Sequence, residues 1–221
     1  MFLLSTYKRQ VCYLIINTTI MKGTIYLLGG GEIAEGETRR IDADIKASAK
    51  KNDLLAFFGT ASGDARGYAN MIEWVFGDHF TILNATEDEG EGFARTAIHS
   101  ASVIYLGGGE TQLLLDRFEE WDLVEDLRSA YERGTTIVGM SAGAQALCKT
   151  YIHEEKKRME LRKGWGLVDM CCLVHATERS YKKAKKLCKD VVGISEKAAW
   201  VVDEKGVSMM GEGVIMRTLA L

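Results

Sequence analysis

A chain of 221 residues is long enough for one domain with a sizeable buried core. Its apolar fraction of 47%, charged fraction of 27% and formal net charge of −3, with both signs spread along the chain, are those of an ordinary globular protein. That balance gives no electrostatic basis for binding nucleic acid or an anionic membrane.

Residues 1–20 carry two short apolar patches split by Lys8, Arg9 and Gln10. Neither approaches the roughly 18 residues of a membrane span, and no small-residue cleavage site follows. This segment reads as an extension, with a single domain over residues 21–221. The five cysteines (Cys12, Cys148, Cys171, Cys172 and Cys188) are odd in number and form no C-x-x-C pair, which points to reduced thiols and a cytoplasmic setting. At least one of the neighbours Cys171 and Cys172 is expected in the core.

From Thr24 to Leu28 an apolar run closed by Gly29, Gly30 and Gly31 reads as a buried strand. Helical spacing follows over 37–51, with Ile41 and Ile45 on one stripe. A second strand is expected at 54–58, a second helix at 65–76 and a third strand at 80–83. The acidic run Glu87 to Glu91 reads as a solvated loop. A fourth strand at 103–106 ends in Gly107-Gly108-Gly109-Glu110. Two helices are expected at 111–118 and 123–132, the second ended by Gly134. A fifth strand at 135–138 runs into Gly139-Met140-Ser141-Ala142-Gly143. Beyond it, 166–174 reads as extended, 178–192 as a basic helix with Lys182 to Lys189 on a solvated face, and 198–210 as an antiparallel hairpin.

This alternation implies an α/β fold, a three-layer sandwich with a mostly parallel sheet and a C-terminal β-hairpin. Sheets of this kind bind ligands at the carboxyl ends of their strands, so the three glycine-rich loops are expected on one rim.

The G-x-S-x-G pattern at Ser141 lies between an expected strand and an expected helix, the setting of a nucleophile elbow. Small flanking residues allow the sharp turn, and the start of the helix offers free N–H groups beside the hydroxyl. A serine needs a base. His79 and His99 lie near strand beginnings, at the wrong edge. His175, at the end of an extended run, is favoured over His153, whose charged neighbours suggest an exposed turn. Glu154, Glu155, Asp169 and Glu178 are candidates by position for the carboxylate that orients the base. The Ala142 N–H is a natural oxyanion donor, and Gly109 can supply a second, although the triple glycine also suits a simple tight turn.

The elements Gly107-Gly108-Gly109-Glu110-Thr111, Gly139-Met140-Ser141-Ala142-Gly143-Ala144 and His175 resemble the motif set of the peptidase E family, which includes aspartyl dipeptidase and cyanophycinase. Thr60-Ala61-Ser62 is similar to its early loop and Gly211 to Ile215 to its closing strand. The resemblance implies a sheet like that of class I glutamine amidotransferases (flavodoxin-like) and a cytoplasmic serine peptidase acting on short peptides through an acyl-enzyme. It implies no metal, no cofactor, no nucleic-acid or membrane partner, and is compatible with a homodimer. Carried over, Ser141 is the nucleophile, His175 the base and Glu155 the acid, with Glu154 as the alternative. Gly109 and Ala142 take the oxyanion role, and Gly108 and Glu110 contact substrate. Two positions depart from the pattern. Glu110 stands where aspartyl dipeptidases carry asparagine, and it would repel an acidic substrate side chain. The proline common around the catalytic histidine is missing, with Val174 before His175.

Three other readings compete: a non-catalytic relative that binds a ligand, an α/β-hydrolase-type esterase, and a dinucleotide-binding protein. The last would use Gly29-Gly30-Gly31-Glu32-Ile33-Ala34, but its second strand ends Phe58-Gly59-Thr60 without the acidic residue that a ribose requires.

Overall fold

A computed structural model describes residues 23–156 and 158–217. The extension expected over residues 1–20, together with Cys12, lies outside them. In chain order the elements are β1 (Ile25–Leu28), α1 (Arg39–Ala47), β2 (Leu54–Phe58), α2 (Arg66–Phe76), β3 (Thr81–Asn84) and α3 (Gly90–Ser100). There follow β4 (Val103–Leu106), α4 (Thr111–Glu120), α5 (Val124–Glu132), β5 (Thr136–Met140), α6 (Ala142–Leu147), β6 (Cys148–Glu155) and β7 (Arg158–Lys163). The chain then forms β8 (Val168–Leu173), α7 (Glu178–Ala184), β9 (Val191–Ile194), β10 (Ala198–Asp203), β11 (Gly206–Gly211) and β12 (Ile215–Met216).

The main sheet has the order β11-β10-β1-β5-β4-β2-β3. Its five strands β1 to β5 run parallel, and the β10–β11 hairpin adds the antiparallel edge that the sequence predicts. The parallel strands are apolar throughout because both faces are covered. Their alternate residues go to opposite sides. Ile25, Leu27, Ala56, Phe58, Ile104, Leu106 and Ile137 pack with α3, α4, α5 and α6, whereas Tyr26, Leu28, Leu55, Phe57, Val103, Tyr105 and Val138 pack with α1 and α2. Ile41 and Ile45 of α1 and Ile72 and Phe76 of α2 form the inward stripes on that second face.

The C-terminal half differs from expectation. A second, five-stranded sheet of order β12-β9-β8-β6-β7 is built there. Ser141 is followed by only six helical residues before β6 begins, and β6 pairs with both β7 and β8. The basic helix is confined to α7, opened by a Thr177–Ser180 capping box, and 191–194 instead forms β9 alongside β8. Tyr181 of α7 packs so close to Gly193 that a Cβ there would lie 2.9 Å from its ring. The expected acidic loop gives way to α3 from Gly90 onward, where Ala94, Ala97 and Ile98 are buried. This second sheet takes the place of the further strand–helix units that an α/β-hydrolase builds after its nucleophile.

Leu28 of β1 lies opposite Met140 of β5, Leu106 of β4 opposite Gly139, and Phe58 of β2 opposite Leu106. The glycine-rich segments after these strands therefore gather on one rim, as predicted. No helix among the described residues is long and apolar enough to cross a membrane.

Candidate active site

Ser141 follows β5 directly and caps the start of α6 with φ 51° and ψ −102°. This is a costly conformation for a residue with a side chain, worth about 1–3 kcal/mol. Its N–H donates to Leu28 O at 3.0 Å, which ties the bend to β1. The flanking glycines are required by contact. A Cβ at Gly139 would fall 2.6 Å from Ala144 N, and one at Gly143 would fall 2.3 Å from Leu106 O. The bend leaves the serine half-buried, with its oxygen on the rim.

His175 lies just beyond β8, also at positive φ (49°), and its N–H donates to Gly29 O at 2.8 Å. Its Nε2 is 2.7 Å from Ser141 Oγ, and its Nδ1 is 2.5 Å from Glu196 Oε1. With Nδ1–H donated to the carboxylate, Nε2 is left to accept the serine proton. Glu196 is placed by the turn between β9 and β10, where Lys197 N–H donates to Gly30 O at 3.0 Å. The Lys197 ammonium is engaged by Glu37 at 2.6 Å, and the Glu37 carboxyl is held below its usual range, first by the Glu32 N–H and then by Lys197.

The triple glycine after β4 forms the third wall. Gly109, at φ 139°, passes so close to Ala61 that a Cβ would lie 2.1 Å from its carbonyl oxygen. Glu110 N–H donates to that same oxygen at 2.7 Å, and Gly108 N–H donates to the Tyr68 hydroxyl at 3.1 Å. Burial pushes the Tyr68 phenol up to about 12, so it remains protonated. Among the described residues the Gly109 and Ala142 N–H groups find no acceptor. An open cavity of about 460 Å³ separates this loop from β6, lined among others by Gly109, Glu110, Ser141, His153, Glu154 and His175. On its floor Thr111 Oγ1 donates to Gln145 Oε1 at 2.5 Å, and Gln145 Nε2 donates to Ile152 O at 3.1 Å.

Of the residues singled out from the sequence, Ser141, His175, Gly108, Gly109, Glu110 and Ala142 come together. The carboxylate does not. Glu155 lies at the β6–β7 hairpin, exposed, 3.5 Å from Lys156 and opposite Arg158. Glu154 borders the cavity but does not hold the imidazole. Asp169 and Glu178 pair with Lys149 and Lys182. Glu196 occupies the position next to Nδ1, because β9 brings the following turn alongside the end of β8. An acidic residue two positions after the apolar run Val191–Ile194 is the signal that would have found it, once that run is read as a strand. His153 lies on β6 and reaches the cavity wall rather than an exposed turn, while His79 and His99 contact Ala49 O and Asp126 elsewhere. The Gly29–Gly31 loop does not cradle a phosphate. A Cβ at Gly30 would fall 2.2 Å from Glu196 Oε2 and 2.6 Å from His175 Nδ1, so the loop is the bed of that pair.

Cys171 and Cys172 are both in the core, with Cys148, and burial pushes the Cys171 thiol up to about 12, which removes it as a nucleophile. Among the described residues, no group of three or more His, Cys, Asp or Glu side chains is gathered to hold a metal ion.

A model of peptidase family S51 matches residues 25–214. The chain belongs to that family. Over 131 residues it is 31% identical to YgaJ of Bacillus subtilis (strain 168), named an uncharacterized peptidase, covering 56% of this chain and 55% of that protein. Over 107 residues it is 29% identical to peptidase E of Nostoc sp. (strain PCC 7120 / SAG 25.82 / UTEX 2576), covering 47% and 42%. The matched segments thus span about half the length of these curated relatives. The crystal structure of a peptidase from an acI-B1 actinobacterium superposes with a TM-score of 0.64 at 20% identity, covering 89% of this chain and 95% of that one. At that identity the likeness establishes the fold. This S51 chain thus carries the Ser141 bend together with an imidazole and a carboxylate at one rim of its main sheet.

Proposed function

We propose that this S51 chain is a serine peptidase that hydrolyses short peptides through an acyl-enzyme, with Ser141, His175 and Glu196 as its triad. The observation that carries the reading is the 2.7 Å contact between Ser141 Oγ and His175 Nε2 at a strained bend flanked by two free amides. His175 takes the hydroxyl proton as Ser141 attacks the peptide carbonyl, and Glu196 stabilises the resulting imidazolium. The Gly109 and Ala142 N–H groups hold the oxyanion. His175 then protonates the leaving amine. Water, deprotonated by the same imidazole, attacks the ester and releases the acid, with the proton returned to Ser141. An open cavity of about 460 Å³ suits a short peptide.

A fluorophosphonate probe tests the reading. Labelling that disappears in Ser141→Ala, falls sharply in His175→Ala and persists in His153→Ala supports it. A folded wild-type protein that takes no label favours the non-catalytic binding protein.

A further inference from the structure

The cavity beside Ser141 has an unbalanced charge. Glu110 borders it from the start of α4 and Glu154 from β6, and no Lys or Arg is among its described lining residues. Neither carboxylate forms an ion pair among the described residues, whereas the neighbouring Glu155 and Glu160 pair with Lys156 and Arg162. Among the described residues the Glu110 carboxylate accepts from the Gln112 N–H alone, at 3.2 Å. The neutral polar groups on the floor, Thr111 and Gln145, are satisfied by one another and by Ile152 O. Arg179 and Lys183 border a neighbouring depression that shares Glu154 and His175, but neither forms an ion pair with Glu154. The cavity adjoins both the Gly109 amide and the His175 imidazole, and under the serine-peptidase reading it receives the acyl residue of a peptide whose carbonyl faces the Gly109 amide.

We infer that the cavity selects an acyl residue carrying a cationic nitrogen, an ammonium or guanidinium, held between Glu110 and Glu154. The inference rests on the serine-peptidase reading for the direction of the bound peptide. It gives Glu154 a role as a wall of the specificity pocket instead of the orienting acid. It also disfavours the acidic acyl residue that an asparagine at position 110 would tolerate, because two carboxylates on the cavity wall repel a third.

Binding to the Ser141→Ala protein, measured by calorimetry with four peptides, tests this without turnover: Lys-Ala, norleucine-Ala, Asp-Ala and N-acetyl-norleucine-Ala. Lys-Ala binding about 10-fold tighter than norleucine-Ala assigns the cation to the side chain, the size expected for partly exposed charge pairs. Norleucine-Ala binding about 10-fold tighter than its acetylated form assigns it to the α-amino group. Either advantage supports the inference if Glu110→Gln and Glu154→Gln, both at exposed positions, each reduce it and together abolish it. Equal or undetectable binding of all four peptides, or tighter binding of Asp-Ala, overturns it. Fluorophosphonate labelling of the wild-type protein scores the nucleophile separately. A labelled protein without cationic preference sinks only this inference, and an unlabelled protein with that preference sinks only the catalytic reading.

Discussion

Gly30 and His175 are packed so closely that a Cβ at position 30 would lie 2.6 Å from the imidazole Nδ1. The same atom would meet Glu196 Oε2 at 2.2 Å. A glycine-rich turn after a first strand is usually suspected of holding a phosphate, but here the space that glycine leaves is filled by the protein's own side chains. Gly30→Ala should therefore displace the pair by an ångström or more while leaving the sheet intact. The expected loss of peptide hydrolysis is about 100-fold, the usual penalty for a misplacement of that size. Circular dichroism and the rate of fluorophosphonate labelling check both halves of the statement. An unchanged labelling rate would show that the imidazole does not depend on this bed.

Glu196 and Glu155 can be separated by kinetics. Glu196→Gln keeps the shape but removes the charge that fixes the His175 tautomer, so kcat should fall by about 100- to 10,000-fold with KM little changed. Glu155→Gln, at an exposed hairpin and paired with Lys156, should leave both parameters as they are. Equal losses in the two variants would return the acid role to β6.

The bend at Ser141 was legible in the sequence, and the carboxylate beside His175 was not, for a physical reason. The bend at Ser141 is enforced locally: Gly139 meets Ala144 five residues on, and only small residues fit. Such constraints leave a mark in a short window. Glu196 meets His175 through the pairing of β9 with β8, a contact that no window around either residue records. The second sheet was hidden for a related reason. Cys148–Glu155 and Val191–Ile194 follow or contain residues that also suit a helix, and what makes them strands is their pairing with β8. The five parallel strands of the main sheet were readable because burial on both faces gives them continuous apolar runs.

Gln145 holds three elements at the cavity floor, and its loss should appear first as instability. Gln145→Leu is close in volume but leaves the buried Ile152 carbonyl and the Thr111 hydroxyl without their partner. Each unsatisfied buried group costs about 1–3 kcal/mol, so the urea midpoint should drop clearly while the slope of the transition stays constant. The companion change Thr111→Val in the same background should add less than it costs alone, because the hydroxyl has already lost its acceptor. Additive losses would mean that the two side chains do not act as a unit.

Asp42 predicts a pH dependence of the fold far from the rim. It is buried in α1, its Oδ2 accepts from Thr38 Oγ1 at 2.8 Å, and its Oδ1 has no partner among the described residues. Burial pushes its carboxyl up to about 6, against the smaller opposing pull of Thr38 and Lys46. In the unfolded chain the same group titrates near 4, so between about pH 4 and pH 6 the folded state binds more protons than the unfolded one. Stability from this residue is therefore fully present below about pH 4, declines as pH rises through 6, and is a net penalty above it. Asp42→Asn keeps the shape and removes the charge. It should raise stability by about 1–3 kcal/mol at pH 8 and by little at pH 4. Denaturant titrations at the two pH values decide the matter, and an equal effect at both would show that the carboxyl does not titrate in that range.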